Sequence, residues 1–214
     1  VNSPNAYEYF KKYYEDKKIK YVINYVHPKN KIKISNEKKT IIAVGRINIQ
    51  KGYDILIKAF ILSNASKKDW KLKIIGNNSD KLIYKQLLNL SSNELNKSIF
   101  FVNETKVLDD IYKKASAYII ASRYEGTPNS FLEAASFGLP CIISDSINLG
   151  DIKLIDKKNS LVFKNEDINS CKNSINYLIN NYKVNLKYGI ELNNLIISNY
   201  SLKNATNSWD NIVI

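Results

Sequence analysis

Short apolar runs alternate with amphipathic stretches along most of the chain. Runs rich in apolar and β-branched residues predict strands at residues 21–24, 40–44, 72–75, 99–102, 117–121, 140–144 and 160–163. Apolar residues at helical spacing predict helices near 53–65, 79–92, 106–115 and 129–137. Beyond residue 163 the pattern predicts helices to the end of the chain, with breaks near Gly189 and near 199–201.

This alternation predicts an α/β fold. Strands that are apolar almost throughout and are joined by helices form a parallel sheet with helices on both faces. Ligands of such sheets bind beyond the carboxyl ends of the strands, so the loops between strand and helix are where we expect chemistry.

Glycine is scarce, with seven residues, and its placement is therefore informative. Gly45, Gly76 and Gly126 each follow a predicted strand, and Gly138 closes a predicted helix just before Pro140. Glycines in three strand-to-helix loops indicate backbone that turns sharply or approaches a ligand.

The loop after the strand at 40–44 contains two cations. It leads through Gly45 and Arg46 to Lys51 and Gly52, where a helix begins. A strand, a glycine turn and a helix start place free N–H groups at one point, and two cations beside them suit a diphosphate. The alternative is an ordinary turn carrying two solvated cations.

The loop after the strand at 117–121 contains two acids. It turns at Gly126 and enters a helix at Asn129 or Ser130, so that Glu125 and Glu133 lie on one side of the turn. The alternative is structural: Ser130 and Glu133 have the spacing of a capping box, and Glu125 is then a solvated loop acid.

The chain is basic, with 32 Lys and Arg against 20 Asp and Glu and a net charge of +12. That charge and 15 Tyr leave a nucleic-acid-binding module as an alternative function. However, the only arginines are Arg46 and Arg123, and arginine is the preferred reader of bases. Both lie in the two loops just described, which favours a site there, and we expect no nucleic-acid partner.

Several function classes are excluded by absent residues. Cys141 and Cys171 stand apart from each other and from His27, the one histidine, which argues against a disulfide scaffold and a zinc cluster. No apolar run approaches the roughly 18 residues of a membrane span. The chain begins at Val1 without a signal peptide, and we expect a segment of a longer, cytosolic chain.

Three motifs then resemble one known family. The segment EGTPNSFLEAASFGLP at 125–140 resembles the Glu-x7-Glu signature of retaining, nucleotide-sugar-dependent glycosyltransferases of family 4. Gly45-Arg46 with Lys51-Gly52 is similar to the family's G-R-x-x-x-x-K-G loop, and residues 24–27 resemble its N-G-V-D hinge. Tyr25 and His27 replace the Gly and Asp of that hinge.

The resemblance implies a two-domain GT-B architecture, of which this chain is the carboxyl-terminal, Rossmann-like half. Residues 1–30 are then a lead-in helix and hinge, and 31–200 the donor-binding domain. Residues 201–214 form a C-terminal helix that packs on an amino-terminal acceptor domain of the same full-length chain. By itself the segment is an incomplete enzyme.

The resemblance also implies the roles of individual residues. Arg46 and Lys51 match the pair that holds the donor diphosphate, Glu133 the acid at the ribose and Glu125 the acid beside the sugar; Arg46, Lys51 and Glu125 are the implied catalytic residues. The implied donor-binding set is Gly45, Arg46, Lys51, Gly76, Glu125, Gly126, Thr127, Pro128, Asn129, Ser130 and Glu133. We expect no metal and no cofactor besides the donor, since cations and a helix N-terminus stabilise a leaving diphosphate.

The implied activity is hexosyl transfer from a UDP- or GDP-sugar, in the synthesis of bacterial surface polysaccharide or glycoconjugates. The implied location is cytoplasmic, with lysines that attract an anionic membrane at its inner face. The alternative is a Rossmann-like nucleotide-binding or interaction domain without catalysis.

Overall fold

The computed structural model describes residues 1–15, 19–29, 38–105, 107–150 and 152–210. Its strands are β1 (Thr40–Val44), β2 (Lys71–Ile75), β3 (Ile99–Val102), β4 (Ala117–Ile120), β5 (Cys141–Ser144) and β6 (Leu161–Phe163). They form one parallel sheet in the order β3-β2-β1-β4-β5-β6. This confirms the predicted α/β fold with a Rossmann-like parallel sheet.

Helices cover both faces of the sheet. The α-helices of the described residues are α1 (Pro4–Lys11), α2 (Tyr53–Leu62), α3 (Lys81–Leu90), α4 (Leu108–Lys113), α5 (Asn129–Ser136), α6 (Ile168–Asn180), α7 (Tyr182–Asn199) and α8 (Leu202–Asp210). Successive side chains of a strand point to opposite faces. Accordingly, Ile41 of β1 packs in a core with α2 and α6, whereas Ile42 packs in a second core with α5 and α7. The helical C-terminal tail is confirmed.

The predicted strand at 21–24 is wrong. Within the described residues this segment lies outside the sheet and is bonded to single residues of other segments. The Val22 N–H donates to the Val1 carbonyl at 2.9 Å, and the Ile23 N–H donates to the Ser208 hydroxyl at 3.3 Å. Isolated bonds of this kind form no ladder, so an apolar run is not enough for a strand.

The predicted break at Gly189 is also wrong, because α7 runs through it without interruption. A Cβ at this position would lie 2.4 Å from the Gly138 carbonyl oxygen, so glycine lets α7 approach the turn that follows α5. The break instead falls at Asn181, between α6 and α7, and the break predicted near 199–201 is confirmed.

Strands β1 and β4 are neighbours at the centre of the sheet although they are not consecutive in the chain. The chain runs outwards in opposite directions from this pair, and at such a reversal the loops diverge and leave a crevice where ligands bind. The loops at this crevice are 45–52, which we call the cation loop, and 121–128, which we call the acid loop.

Some predicted features extend beyond the described residues. These are residues 16–18 and 30 of the predicted lead-in, 31–37 of the predicted donor domain, Lys106 at the start of a predicted helix, and 211–214 of the predicted final helix. The predicted division at residues 30 and 200 stays a prediction.

Candidate functional site at the β1–β4 crevice

The cation loop begins with a close contact between two glycines. The Gly45 N–H donates to the Ile75 carbonyl at 2.9 Å, and a Cβ on Gly76 would lie 1.9 Å from the Gly45 carbonyl oxygen. The Tyr53 hydroxyl donates to that same oxygen at 3.0 Å. Burial, with the charge of Glu125, raises the pKa of Tyr53 and keeps it a donor. Gly45 and Gly76, which the resemblance implies at the donor, therefore lie together.

Gly52 brings the cation loop onto the acid loop. Its φ of +63° lies in the left-handed region, and a Cβ there would come within 2.0 Å of the Ala121 carbonyl oxygen. Both the backbone conformation and the close approach require glycine. The sequence motif contains this glycine, but the contact with Ala121 depends on the neighbouring strand.

Lys51 and Glu125 form an ion pair across the two loops. The Lys51 Nζ and Glu125 Oε1 are 2.5 Å apart, and the side chains are only 14% and 9% exposed. The Ser122 hydroxyl donates to the same carboxylate oxygen at 2.7 Å. The alternative of a solvated loop acid is therefore wrong for Glu125, and Lys51 is not a solvated cation either.

Arg46 is in the opposite situation. It is exposed, and no other residue in the described part of the chain accepts a hydrogen bond from its guanidinium group. Of the two cations in this loop, one is thus neutralised by an acid and one is available to an anion.

The capping-box alternative for Ser130 and Glu133 is wrong as well. Helix α5 starts at Asn129, as predicted, with Pro128 before it and no side-chain cap. The Ser130 hydroxyl instead donates to the Val44 carbonyl at 3.0 Å, and the Glu133 carboxylate accepts a bond of 2.9 Å from Tyr112.

The first turn of α5 is therefore open at its amino end. Among the described residues, none accepts a hydrogen bond from the backbone N–H of Asn129 or of Ser130. Such groups, with the positive end of the helix dipole, attract anions. The Ser130 hydroxyl bond ties this end of α5 to β1, directly before Gly45.

Residues from the amino-terminal part of the chain contact the acid loop. The Thr127 hydroxyl donates to the Asn2 carbonyl, and Asn24 donates to the Asn129 side chain at 2.5 Å. The Cβ of Ser3 lies 3.3 Å from the point where a Cβ of Gly126 would be. Three residues implied at the donor thus contact segments that no local pattern connects to them.

Glu133 and Asn129 also line a cavity of about 1140 Å³ on the side of the hinge. His27 and Trp209 line it as well. His27 is exposed, and its Nδ1 is 2.8 Å from the Tyr25 hydroxyl. Arg46, Lys51 and Glu125 do not line this cavity, which borders on α5 through Asn129 and Glu133.

Arg123 has a role that the sequence did not indicate, because the sequence marked it only as one of two arginines and implied no contacts for it. Its guanidinium group binds the Asp54 carboxylate through two bonds, of 3.0 and 2.8 Å, and Glu166 at 2.9 Å. Burial acts to raise the pKa of Asp54, but the hydrogen bonds and charge of Arg123 outweigh it and leave that pKa below its usual value. The Asp54 hydrogen bonds in turn raise the pKa of Arg123.

The described residues lack a metal-ion site and a membrane-spanning helix. They contain no group of three His, Cys, Asp or Glu side chains arranged to hold a metal ion. They also contain no helix with the length and apolar character needed to cross a membrane.

The family model for "Glycosyl transferases group 1" matches residues 27–193, which include both loops of the crevice. The chain belongs to this family. An uncharacterized glycosyltransferase of Haemophilus influenzae is 29% identical to this group 1 domain over 191 residues, 89% of this chain and 53% of that protein. The amylovoran biosynthesis glycosyltransferase AmsD of Erwinia amylovora is 28% identical over 178 residues, 83% of this chain and 44% of that protein.

The group 1 domain also resembles solved structures. A mutant of S. aureus TarM, crystallised with fondaparinux, α-GlcNAc-glycerol and UDP, matches 99% of this chain and 43% of its own. The TM-score is 0.87 at 22% identity, so the likeness shows the fold, that of GT-B glycosyltransferases. The chain spans about half the length of the curated relatives it matches.

Proposed function

We propose that this group 1 domain binds the donor of a retaining glycosyltransferase, a UDP- or GDP-linked hexose, in the β1–β4 crevice. The observation that carries the proposal is the guanidinium group of Arg46, which no described residue engages, in the loop beside the open amino end of α5. Both can stabilise a diphosphate without first giving up a protein partner.

Each implied site residue then has a chemical task. Breaking the bond to the sugar leaves negative charge on the diphosphate, which Arg46 and the α5 N–H groups stabilise as it develops. Glu125 accepts a hydrogen bond from a hydroxyl group of the sugar, and Glu133 accepts hydrogen bonds from the ribose hydroxyl groups. These bonds orient the donor. Lys51 shares its charge between Glu125 and the diphosphate. Retention follows if the acceptor enters on the face that the diphosphate leaves.

The acceptor domain belongs, in this proposal, to the remaining half of a longer protein. Support comes from the length of the relatives and from α8, where Leu202 is 60% and Trp209 54% exposed. We propose that α8 packs on that domain. The name of AmsD supports a role in polysaccharide synthesis, and UDP in the TarM crystal supports a nucleotide donor. A cytoplasmic location, contact with anionic lipid and the lack of a cofactor belong to the same proposal.

Thermal unfolding with UDP, GDP and their hexose conjugates tests the donor site. A ligand at 100 times its dissociation constant stabilises the folded state by about 2.7 kcal/mol, and we expect a raised Tm with one nucleotide class. Arg46→Ala should abolish the rise. Lys67→Ala, an exposed lysine far from the crevice, should leave it intact. If no nucleotide raises the Tm of the unchanged chain, the donor-site proposal is wrong.

Turnover by the full-length protein tests the chemistry. The anomeric configuration of the product, read from its proton couplings, should match that of the donor. An inverted product would contradict the retaining mechanism while leaving donor binding unaffected.

A further inference from the structure

We propose that Arg123 is a positioning residue that sets the register of the cation loop against the acid loop, so that Lys51 meets Glu125. The part of this proposal that concerns donor binding rests on the proposed function. The part that concerns the two loops rests on contacts within the chain alone.

Arg123 bonds to the cation loop through backbone and side chain. Its N–H donates to the Gln50 carbonyl at 2.8 Å, and its Nη1 donates to that of Ile49 at 2.6 Å. These carbonyl groups belong to the two residues directly before Lys51. Gln50 returns a bond, because its side-chain amide donates to the Tyr124 carbonyl at 3.0 Å.

Arg123 also lies close to the acid in sequence. Ser122, just before it, bonds to the Glu125 carboxylate, and Glu125 itself follows two positions later. The residues that flank Arg123 and the residues that it holds are therefore those that present the two charges to each other. A shift of either loop by one residue would separate Lys51 from Glu125.

The same contacts exclude Arg123 from binding the donor. Of its five guanidinium N–H groups, Nε bonds to Glu166, Nη1 to Ile49 and Asp54, and Nη2 to Asp54. Two carboxylates neutralise its charge, and the side chain is 20% exposed. An anion would have to displace Asp54 or Glu166, whereas at Arg46 it displaces water only.

The arrangement requires arginine. The planar guanidinium group binds one carboxylate with two parallel bonds and still reaches a carbonyl group and a second acid. A lysine would keep the charge but has no fixed fork, so it cannot hold Asp54 and Ile49 in one geometry. Arg123→Lys therefore separates the loss of register from the loss of charge.

A double-mutant cycle tests the register without any ligand. We would measure the urea midpoints of the unchanged chain, Arg123→Lys, Lys51→Met and the double variant. If Arg123 positions Lys51, the midpoint loss caused by Arg123→Lys should fall by at least half once Lys51 is gone, because the ion pair is no longer there to weaken. Additive losses would overturn the proposal, since a purely structural arginine does not couple to Lys51.

Two matched controls sharpen the cycle. Arg123→Lys combined with Lys39→Met, which breaks an exposed pair with Asp69 at the other end of β1, should be additive. Glu166→Gln removes the negative charge that faces Arg123 from the turn before α6, and it alters no contact with the cation loop. It should show no coupling to Lys51→Met, and coupling there would mean that the α6 contact, not the loop register, is responsible.

The affinity for the donor nucleotide provides a second test of the proposal. Calorimetry should show that Arg123→Lys weakens binding of UDP or GDP about tenfold, which corresponds to about 1.4 kcal/mol, whereas Glu166→Gln leaves binding unchanged. Equal affinities of the chain with and without Arg123→Lys would contradict a role at the donor. If the unchanged chain binds neither nucleotide, the proposed function fails, and the ligand-free cycle still decides whether Arg123 positions Lys51.

Discussion

The two arginines lie in neighbouring loops of the same crevice and have opposite environments. Arg46 is exposed, and no acceptor among the described residues engages its side chain. Arg123 is largely buried and bonds to two carboxylates and a carbonyl group. Both residues are arginines in loops between a strand and a helix, so the difference comes from what the fold places beside each guanidinium group.

The difference teaches how a cation's role follows from its partners. A guanidinium group held by two acids has its charge neutralised and its geometry fixed, so it can order the backbone around it. A guanidinium group without partners contributes little to folding and keeps its charge for a ligand. Lys51 is intermediate, since its single partner Glu125 is itself an implied donor residue.

The largest effect should follow from separating the two loops that Arg123 joins. Gly52→Ala forces a Cβ against the Ala121 carbonyl in a left-handed conformation, and we expect a loss of about 3 kcal/mol in the free energy of unfolding. Gly126→Ala is the matched control, because its Cβ would meet only Ser3 at 3.3 Å and its φ is not left-handed. Urea denaturation measures both, and equal losses would contradict the loop contact.

A somewhat smaller loss of stability should follow from removing the charge of Lys51. Lys51→Met leaves the Glu125 carboxylate buried with only the Ser122 hydroxyl, and we expect to lose about 2 kcal/mol. Lys39→Met breaks an ion pair whose Asp69 is 86% exposed, and should cost less than about 1 kcal/mol. If the Lys51 variant is no less stable than the Lys39 variant, the buried ion pair contributes no more to stability than the exposed one.

The charge that neutralises Arg123 should appear in the pH dependence of stability. Because Arg123 holds the pKa of Asp54 below its usual value, the pair stabilises the fold at pH values above the unfolded pKa of about 3.9. That contribution is lost as the pH falls through the lower folded pKa. At pH 7 the free energy of unfolding of the unchanged chain should therefore exceed that of Asp54→Asn by less than about 1 kcal/mol, since the pair is partly solvated. This difference in stability should shrink towards pH 3.

Urea denaturation at pH 7, 5 and 3 measures the difference. Asp69→Asn, at an exposed carboxylate, serves as the control and should differ little from the unchanged chain throughout. A difference between the unchanged chain and Asp54→Asn that grows as the pH falls would have the wrong sign for this pair.

The smallest effect on stability should come from Arg46. Arg46→Ala removes no hydrogen bond or ion pair to the described residues, and we expect the free energy of unfolding to change by less than about 0.5 kcal/mol. Arg123→Ala, its direct counterpart, should lose about 1 to 2 kcal/mol because it leaves Asp54 and the Ile49 carbonyl without their donor. Similar losses from both variants would remove the distinction between the two arginines.

Much of the fold could be predicted from periodicity, and the errors have a common cause. The strands of the sheet are short, mostly apolar runs, and their predicted and observed bounds nearly coincide. The run at 21–24 has the same pattern but no adjacent strand to pair with, and Gly189 has the usual sign of a helix break but a packing role. In both cases the deciding contact comes from a distant segment.

The candidate site divides in the same way. The two loops, with Arg46, Lys51, Glu125 and Glu133, could be singled out because a strand, a glycine and a helix start are local features. The alternatives for these residues could not be separated by sequence. Whether Lys51 is solvated or paired depends on a partner 74 residues away, and whether Glu133 caps the helix depends on a partner 21 residues away.

The sequence by itself determined the six strands of the sheet, their alternation with helices, the two loops and the family motifs, since each depends on residues that lie close together in the chain. Only the tertiary structure decided that Lys51 is paired, that Arg46 has no acceptor among the described residues, that Arg123 joins the loops, and that Asn24 contacts Asn129 across 105 residues of chain. The physical reason is the order of the sheet. It places β1 beside β4, and local periodicity is the same for every order in which the strands could be arranged.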